Sequence, residues 1–288
     1  MKYKSHFKLK RRSSWAGITF IVPSLAGVAV FVFIPFLDVI RRSFLGAVDG
    51  RWTGIENYKR IFENSAFKLA LGNTLKFVGV CIPLLVILAL VVSVLLYRCK
   101  SWMGYLKSAF LVPMAIPVAS IALIWKLLFN SQGMVNGILD QFGIQAVDFM
   151  NSGSSFWVLV GSYIWKNLGY DIVLCLAGLS SIPYNLYEAA KVDGAGNWQC
   201  FLKITLPNLL PTLYTITVLS FLNSFKVFRE AYLVAGDYPH ESMYLMQHLF
   251  NNWFRDLELD KLSAAAVVVA VVIFAAMLLL QKAWADKD

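Results

Sequence analysis

Residues Tyr187–Pro207 read YEAAKVDGAGNWQCFLKITLP, a polar and largely helix-prone piece broken by two glycines and wedged between two long apolar runs. The runs on either side explain the setting. A chain of 288 residues that is 58% hydrophobic and only 15% charged carries more apolar surface than a soluble core can hide. About 20 apolar residues cross roughly 30 Å of hydrocarbon as a helix, and a helix satisfies its own backbone there. Six runs qualify: Ala16–Ile40, Thr74–Leu96, Ser108–Phe129, Phe156–Leu179, Thr205–Phe228 and Leu262–Trp284. The first follows a basic stretch and imitates a signal peptide, but its length and the lack of a small-residue cleavage site read as a retained anchor. The expected fold is an all-α integral membrane protein with six transmembrane helices. Residues 1–15 form a basic cytoplasmic tail, and residues 16–288 form a single transmembrane domain.

Lys and Arg set the orientation, because positive loops stay in the cytoplasm. The tail carries Lys2, Lys4, Lys8, Lys10, Arg11 and Arg12, and the loop after the second run adds Arg98, Lys100 and Lys107. Residues 130–155 hold neither Lys nor Arg, and residues 230–261 are mainly acidic. The pattern predicts N-in, C-in, with Tyr187–Pro207 on the cytoplasmic side. The loop over residues 41–73, placed outside, votes against this with Arg41, Arg42, Arg51, Lys59, Arg60 and Lys68, although its length weakens the vote. Within it, Ile55, Tyr58, Ile61 and Phe62 recur at helical spacing beside Lys and Arg, as in an interfacial helix.

The net charge of +9 is spread over tail and loops with no basic-aromatic platform, so membrane orientation explains it and nucleic acid is not an expected partner. Cys81 and Cys175 fall inside apolar runs, Cys99 and Cys200 on the cytoplasmic side, and no pair has metal-ligand spacing. His6, His240 and His248 are far apart or in loops expected to be exposed, with no H-E-x-x-H arrangement. No catalytic constellation, metal site or G-x-x-x-x-G-K-[ST] phosphate loop is present in the sequence. Any ATP energy must therefore arrive through another subunit. Pro23, Pro35, Pro83, Pro113 and Pro117 predict kinks or loosely wound turns, or simply the proline that membrane helices tolerate.

Ionisable residues at bilayer depth are costly unless they face a cavity or a partner. Lys166 and Asp171, with Asn167 beside them, stand out in the fourth run; Asn223, Ser224 and Lys226 form a second polar stripe in the fifth. Lys126 and Lys226 lie near ends where they can snorkel. For Lys166 and Asp171 the alternatives are a solute pathway or a buried ion pair that fixes helix packing. Trp165, Gly169 and Tyr170 adjoin them, and an aromatic face flanked by hydrogen-bonding groups suits a sugar ring as well as ordinary packing.

In the opening segment, Glu188, Ala189 and Ala190 favour a short helix after Pro183, Asp193, Gly194 and Gly196 supply a turn, and Trp198 to Ile204 resume a helix. Trp198, Phe201 and Leu202 are expected to pin this elbow to the bundle. The order E-A-A, three residues, G, nine residues, I-x-L-P resembles the signature of the inner-membrane permeases of bacterial ABC importers. Within that group the chain resembles the carbohydrate permeases, of the maltose and glycerol-3-phosphate kind, over nearly its whole length. GIENYKRIFENSAFKLALGNTLKF, IWKLLFNSQGMVNGIL and IPYNLYEAAKVDGAGNWQCFLKITLPNLLP follow the family pattern.

The resemblance implies a permease domain whose coupling-helix elbow, between the fourth and fifth helices, docks on a cytoplasmic ABC ATPase dimer. Glu188, Ala189, Ala190, Asp193, Gly194, Ile204, Leu206 and Pro207 would form that contact. It also implies a second homologous permease, an extracytoplasmic solute-binding protein and a carbohydrate solute, with ATP and Mg used only by the ATPase. Trp165, Lys166, Asn167, Leu168, Gly169, Tyr170 and Asp171, with Asn223, Ser224 and Lys226, are the implied solute-pathway residues. The charge of Lys166 and Asp171 leaves an acidic sugar or glycerol-3-phosphate open. An ion-gradient-driven carrier is the competing class, but it has no use for the elbow and usually shows inverted repeats, which are not detected here.

Overall fold

A computed structural model describes residues 14–47, 49–98 and 103–285. The basic tail up to residue 13 and Cys99 therefore lie outside the described residues. The described residues form helices joined by turns and loops, with no strand and one isolated bridge, Leu45 to Trp52. In chain order the helices are α1 (Ser14–Val28), α2 (Ile34–Arg42), α3 (Glu56–Glu63), α4 (Ser65–Arg98), α5 (Met103–Ala115), α6 (Val118–Phe129) and α7 (Met134–Gln141). There follow α8 (Ser155–Ser181), α9 (Tyr184–Val192), α10 (Asn197–Cys200), α11 (Leu206–Ser224), α12 (Phe228–Ala235), α13 (Met246–Arg255) and α14 (Leu259–Ala285). The described residues group into two compact units, one running up to Ile61 and including Asp256–Ile273, the other formed by those of Phe62–Arg255 with the residues from Phe274 on.

By length and composition, five stretches can cross a membrane: Thr19–Arg42, Ser65–Tyr97, Val118–Gln141, Asn197–Ala235 and Leu259–Lys282. The fourth apolar run forms α8, whose 27 residues are long enough to span at 1.5 Å per residue, yet it is not among the five. Ser162, Lys166, Asn167 and Asp171 dilute its apolar character. Packing accommodates them, since α4, α5 and α11 all lie against α8, where Ser162 and Asp171 are buried. The third run is divided, because Pro117 ends the helical path at an extended backbone (ψ 142°) between α5 and α6.

Proline also shapes two other places. A π-helical turn at Ala29–Phe33 leads into Pro35, and another at Phe201–Thr205 leads into Pro207. A proline ring clashes with the carbonyl four residues back, and widening the preceding turn relieves it. Pro23, Pro83 and Pro113 sit inside unbroken α-helices.

The first unit contains the α2–α3 connection. Asn57, fully buried, donates to the carbonyls of Ser43 and Leu45 at 3.0 and 2.9 Å, and Ser43 shares a 2.7 Å hydrogen bond with Tyr58. The expected interfacial helix is α3, with Ile61 buried and Phe62 exposed.

In the second unit an apolar cluster of Phe77, Cys81, Leu85, Phe156 and Tyr163 fills one end, and a second around Ala89, Ile172, Leu176, Leu209 and Ile216 fills the other. The segment after α12 folds back onto α4 and the start of α8. Asn73 donates to the carbonyls of Glu241 and Tyr244, the Met246 amide donates to Thr74 Oγ1 at 3.0 Å, and Ser155 pairs with Ser242 at 2.7 Å.

His248, expected in an exposed loop, is instead wholly buried in α13. Its Nδ1 accepts from the Leu245 amide at 3.2 Å, and the ring meets Phe228 edge-on at 4.8 Å and stacks on Tyr244. Burial pushes its pKa from 6.5 down to about 4, against an opposing pull from Asp237. Between those values the unfolded chain binds more protons, so this contribution is complete above pH 6.5 and is lost as the pH falls to about 4. The loss should be on the order of 3 kcal/mol, read as a falling melting temperature. His248→Gln should flatten that pH dependence; an unchanged slope would remove His248 as its source.

Candidate functional site

Two regions carry the candidate residues. The elbow begins where Ile182, ahead of Pro183, is forced extended (ψ 122°) and ends α8. Helix α9 then runs to Asp193, and Gly194 takes φ +82°, a conformation that glycine adopts without strain. The Gly194 amide donates to the Lys191 carbonyl at 3.0 Å and the Ala195 amide to the Ala190 carbonyl at 2.8 Å. This pair of bonds is the Schellman closure, so the turn read from Asp193 and Gly194 is present. The Gly196 amide donates to Gln199 Oε1 at 3.0 Å and starts α10.

No residue of α9 is buried, and Glu188, Ala189, Asp193 and Gly194 are all exposed, with Ala190 half-buried. Ile204 and Leu206 root the elbow by packing on the second apolar cluster, while Pro207 is exposed. Tyr187 adds a 2.9 Å hydrogen bond to Thr205 Oγ1. The expected pin differs: Trp198 is 69% exposed and stacks on Phe201, so the buried Cys200 and Thr205 anchor the elbow in its place. The elbow is thus a short exposed helix rooted in the second apolar cluster through Ile204 and Leu206.

The second region is the polar stretch of α8. Seven consecutive residues wind through nearly two helical turns, so they cannot share one face. Gly169 lies against α5, where an added Cβ would stand 1.7 Å from the Phe110 carbonyl oxygen. Leu168 packs on both apolar clusters. Asp171 is buried and accepts from Ser220 Oγ at 3.0 Å, while Tyr163, one helical turn before Asn167, donates to the Ser220 carbonyl at 2.6 Å. Asn167 donates to the Tyr163 carbonyl, Trp165 meets Trp125 edge-on at 5.9 Å, and Tyr170 is half-buried.

Lys166 does not pair with Asp171. It forms its ion pair with Glu230 of α12, which is only 5% exposed. Glu230 belongs to the acidic segment read as outward loop, and the sequence signal for its burial is the apolar pattern of FREAYLVA around it. Glu230, Ser162 and Trp125 line one small cavity, and Glu230 Oε2, Ser162 Oγ and Trp125 Nε1 have no hydrogen-bond partner among the described residues. In the fifth run, Ser224 is buried and donates to the Phe221 carbonyl at 2.6 Å. Asn223 accepts from Lys226 at 2.8 Å on an exposed face. The structure therefore brings Asp171, Ser220, Lys166 and Glu230 into the bundle interior and leaves Asn223 and Lys226 apart at its edge.

Within the second unit, α4, α5 and α11 pack against the polar helix α8, and the exposed elbow follows it. The chain belongs to the family of binding-protein-dependent transport system inner membrane components, whose model matches residues 97–287. It is thus a multi-pass protein of the inner membrane. Over 238 residues, 81% of each chain, it is 32% identical to the trehalose/maltose transport system permease protein MalF of Thermococcus litoralis. It is 30% identical to the inner membrane ABC transporter permease protein YcjO of Escherichia coli, over 91% of this chain and 92% of the relative. It is 27% identical to the sn-glycerol-3-phosphate permease UgpA of Salmonella choleraesuis, over 92% of both chains. A crystal structure of a bacterial ABC transporter that imports alginate contains a chain of the same fold, with TM-score 0.83, 23% identity and coverage of 94% and 96%.

Proposed function

We propose that this chain is the permease subunit of an ATP-driven, binding-protein-dependent importer of a sugar or oligosaccharide. It forms half of the translocation pathway with a second homologous permease, spans the membrane six times with both ends inside as one transmembrane domain, and docks on a separate ATPase dimer. An extracytoplasmic binding protein delivers the solute. The observation that carries the reading is α9, a helix with no buried residue, closed by Gly194 at φ +82° and rooted in the bundle through Tyr187. The chain supplies no nucleotide-binding loop, so hydrolysis belongs to the docked subunit.

The pairing of charges favours a neutral sugar over an acidic one. Glu230 neutralises Lys166, and Asp171 is buried against Ser220, so little net charge is left to meet an anionic solute. Asn167 and Tyr170 remain the candidate hydrogen-bonding groups on the partly accessible side of α8.

The elbow is tested by Ala189→Arg, which alters an exposed residue and leaves the fold intact, and by Gly194→Val. The left-handed backbone at Gly194 costs a β-branched residue about 1–2 kcal/mol, enough to reshape the turn. Co-expressed with a candidate ABC ATPase subunit, wild-type chain should co-purify as a complex. Ala189→Arg should lose the ATPase, and Gly194→Val should lose most ATP-dependent uptake while remaining in the membrane. Full retention of the ATPase and of uptake in both variants would overturn the assignment.

A further inference from the structure

The side of the elbow that faces α4 is hollow. One hollow is lined by Tyr184, Tyr187 and Lys191 of α9 together with Val94, and a second by Leu90, Val91 and Leu95 of α4 together with Trp198. They share Val94, Asn197 and Phe201, so they form one groove. Its two parts hold about 200 and 460 Å³, together within the range of a small-molecule site.

The groove changes character along its length. Its α4 wall belongs to Ser65–Tyr97, a stretch apolar and long enough to cross a membrane, and Val91 and Leu95 are 49% and 58% exposed there. Its other end holds two tyrosines and the exposed ammonium of Lys191, which has no ion pair among the described residues. Between them Trp198 and Phe201 stack with ring centroids 5.6 Å apart, an aromatic lip where the last turn of α4 meets the elbow. Apolar wall, aromatic lip and cation occur in the order in which a bilayer presents acyl chain, interface and headgroup phosphate.

We propose that this groove binds one anionic phospholipid, with its phosphate at Lys191 and Tyr184 and an acyl chain along Val91, Val94 and Leu95. The helical wheel sets Ala189, where docking is tested, opposite this site. Tyr184, Tyr187 and Lys191 follow i, i+3, i+7 spacing on one side of α9, and at roughly 100° per residue Ala189 points away from them. An ATPase seated on Ala189 therefore leaves the groove open. The bound lipid wedges between α4 and the elbow, the joint through which the elbow would move. The proposal depends on membrane placement and not on ATPase docking, so either can fail alone.

The test is native mass spectrometry of the purified full chain, titrated with phosphatidylglycerol or with phosphatidylcholine. Wild-type chain should retain one phosphatidylglycerol, preferred about fivefold over phosphatidylcholine, as expected for one lysine at a membrane surface. Lys191→Gln should abolish that preference. Val94→Trp should lose retention of both lipids by filling the groove, and Leu95→Trp at the exposed lip does the same if Val94→Trp fails to fold. Equal retention by wild type and the filled variant, or no headgroup preference in wild type, would overturn the site. A dimer of this chain that Val94→Trp dissociates, with no lipid retained, would assign the groove to a second copy and likewise overturn it.

Discussion

Glu230→Ala should destabilise the bundle by about 3 kcal/mol, toward the lower end of what breaking a buried ion pair costs, because Lys166 keeps some access to solvent. The side chain of Glu230 is 7% exposed and that of Lys166 is 21% exposed. Removing the carboxylate strands an ammonium between α8 and α12 with no second acceptor, and the penalty is the desolvation of that charge. Lys166→Met in the same chain should recover much of the loss, since it removes the stranded charge, and the part that remains is the cavity alanine opens at position 230. Thermal unfolding of the single and double variants in detergent provides the comparison. A surface pair would lose under about 1 kcal/mol and show no such recovery. A loss that small in Glu230→Ala would place the pair at a solvated pathway wall, and Lys166 would return as a group available to solute.

The ion pair also marks where reading the sequence ended. Lys166 was visible as a costly charge inside an apolar run, but its partner lies 64 positions away, on a helix whose composition resembles a loop. Periodicity along one segment carries no information about which segment it will meet. The same limit separated Asp171 from Ser220 and hid the contact of Gly169 with Phe110. His248 is the opposite error: its polar surroundings suggested solvent, while two aromatic rings enclose it.

The elbow was legible because its determinants are local. Pro183 starts α9, Gly194 stops it, and both closing hydrogen bonds run within a few residues of the turn. Five of the six apolar runs reappear, wholly or in part, among the membrane-length stretches with shifted ends, and the departures have local causes too. Pro117 interrupts the third run, and polar side chains that neighbouring helices shelter lower the apolar character of α8. The family likeness rested on this local order, E-A-A to I-x-L-P, which is why it was available before any tertiary contact was known.

Three glycines of α8 permit a graded test of what that helix is for. Gly161→Ala meets nothing within 4 Å and should raise stability by about 0.5–1 kcal/mol, the usual gain when alanine replaces glycine in a helix. Gly178→Ala meets the Thr212 hydroxyl at 2.6 Å and Leu209 Cδ2 at 2.9 Å, side-chain atoms that can rotate away, so a modest loss is expected. Gly169→Ala is different in kind, because the obstacle is the Phe110 carbonyl at 1.7 Å and α5 as a whole must retreat. Overpacking of this sort costs about 1–3 kcal/mol or more, and the expected loss is at the upper end. The order of melting temperatures should therefore be Gly161→Ala, Gly178→Ala, Gly169→Ala, from highest to lowest. A Gly169→Ala chain as stable as wild type but defective in uptake would show that the residue serves the passing solute, and that the close approach of α5 gives way when the pathway opens.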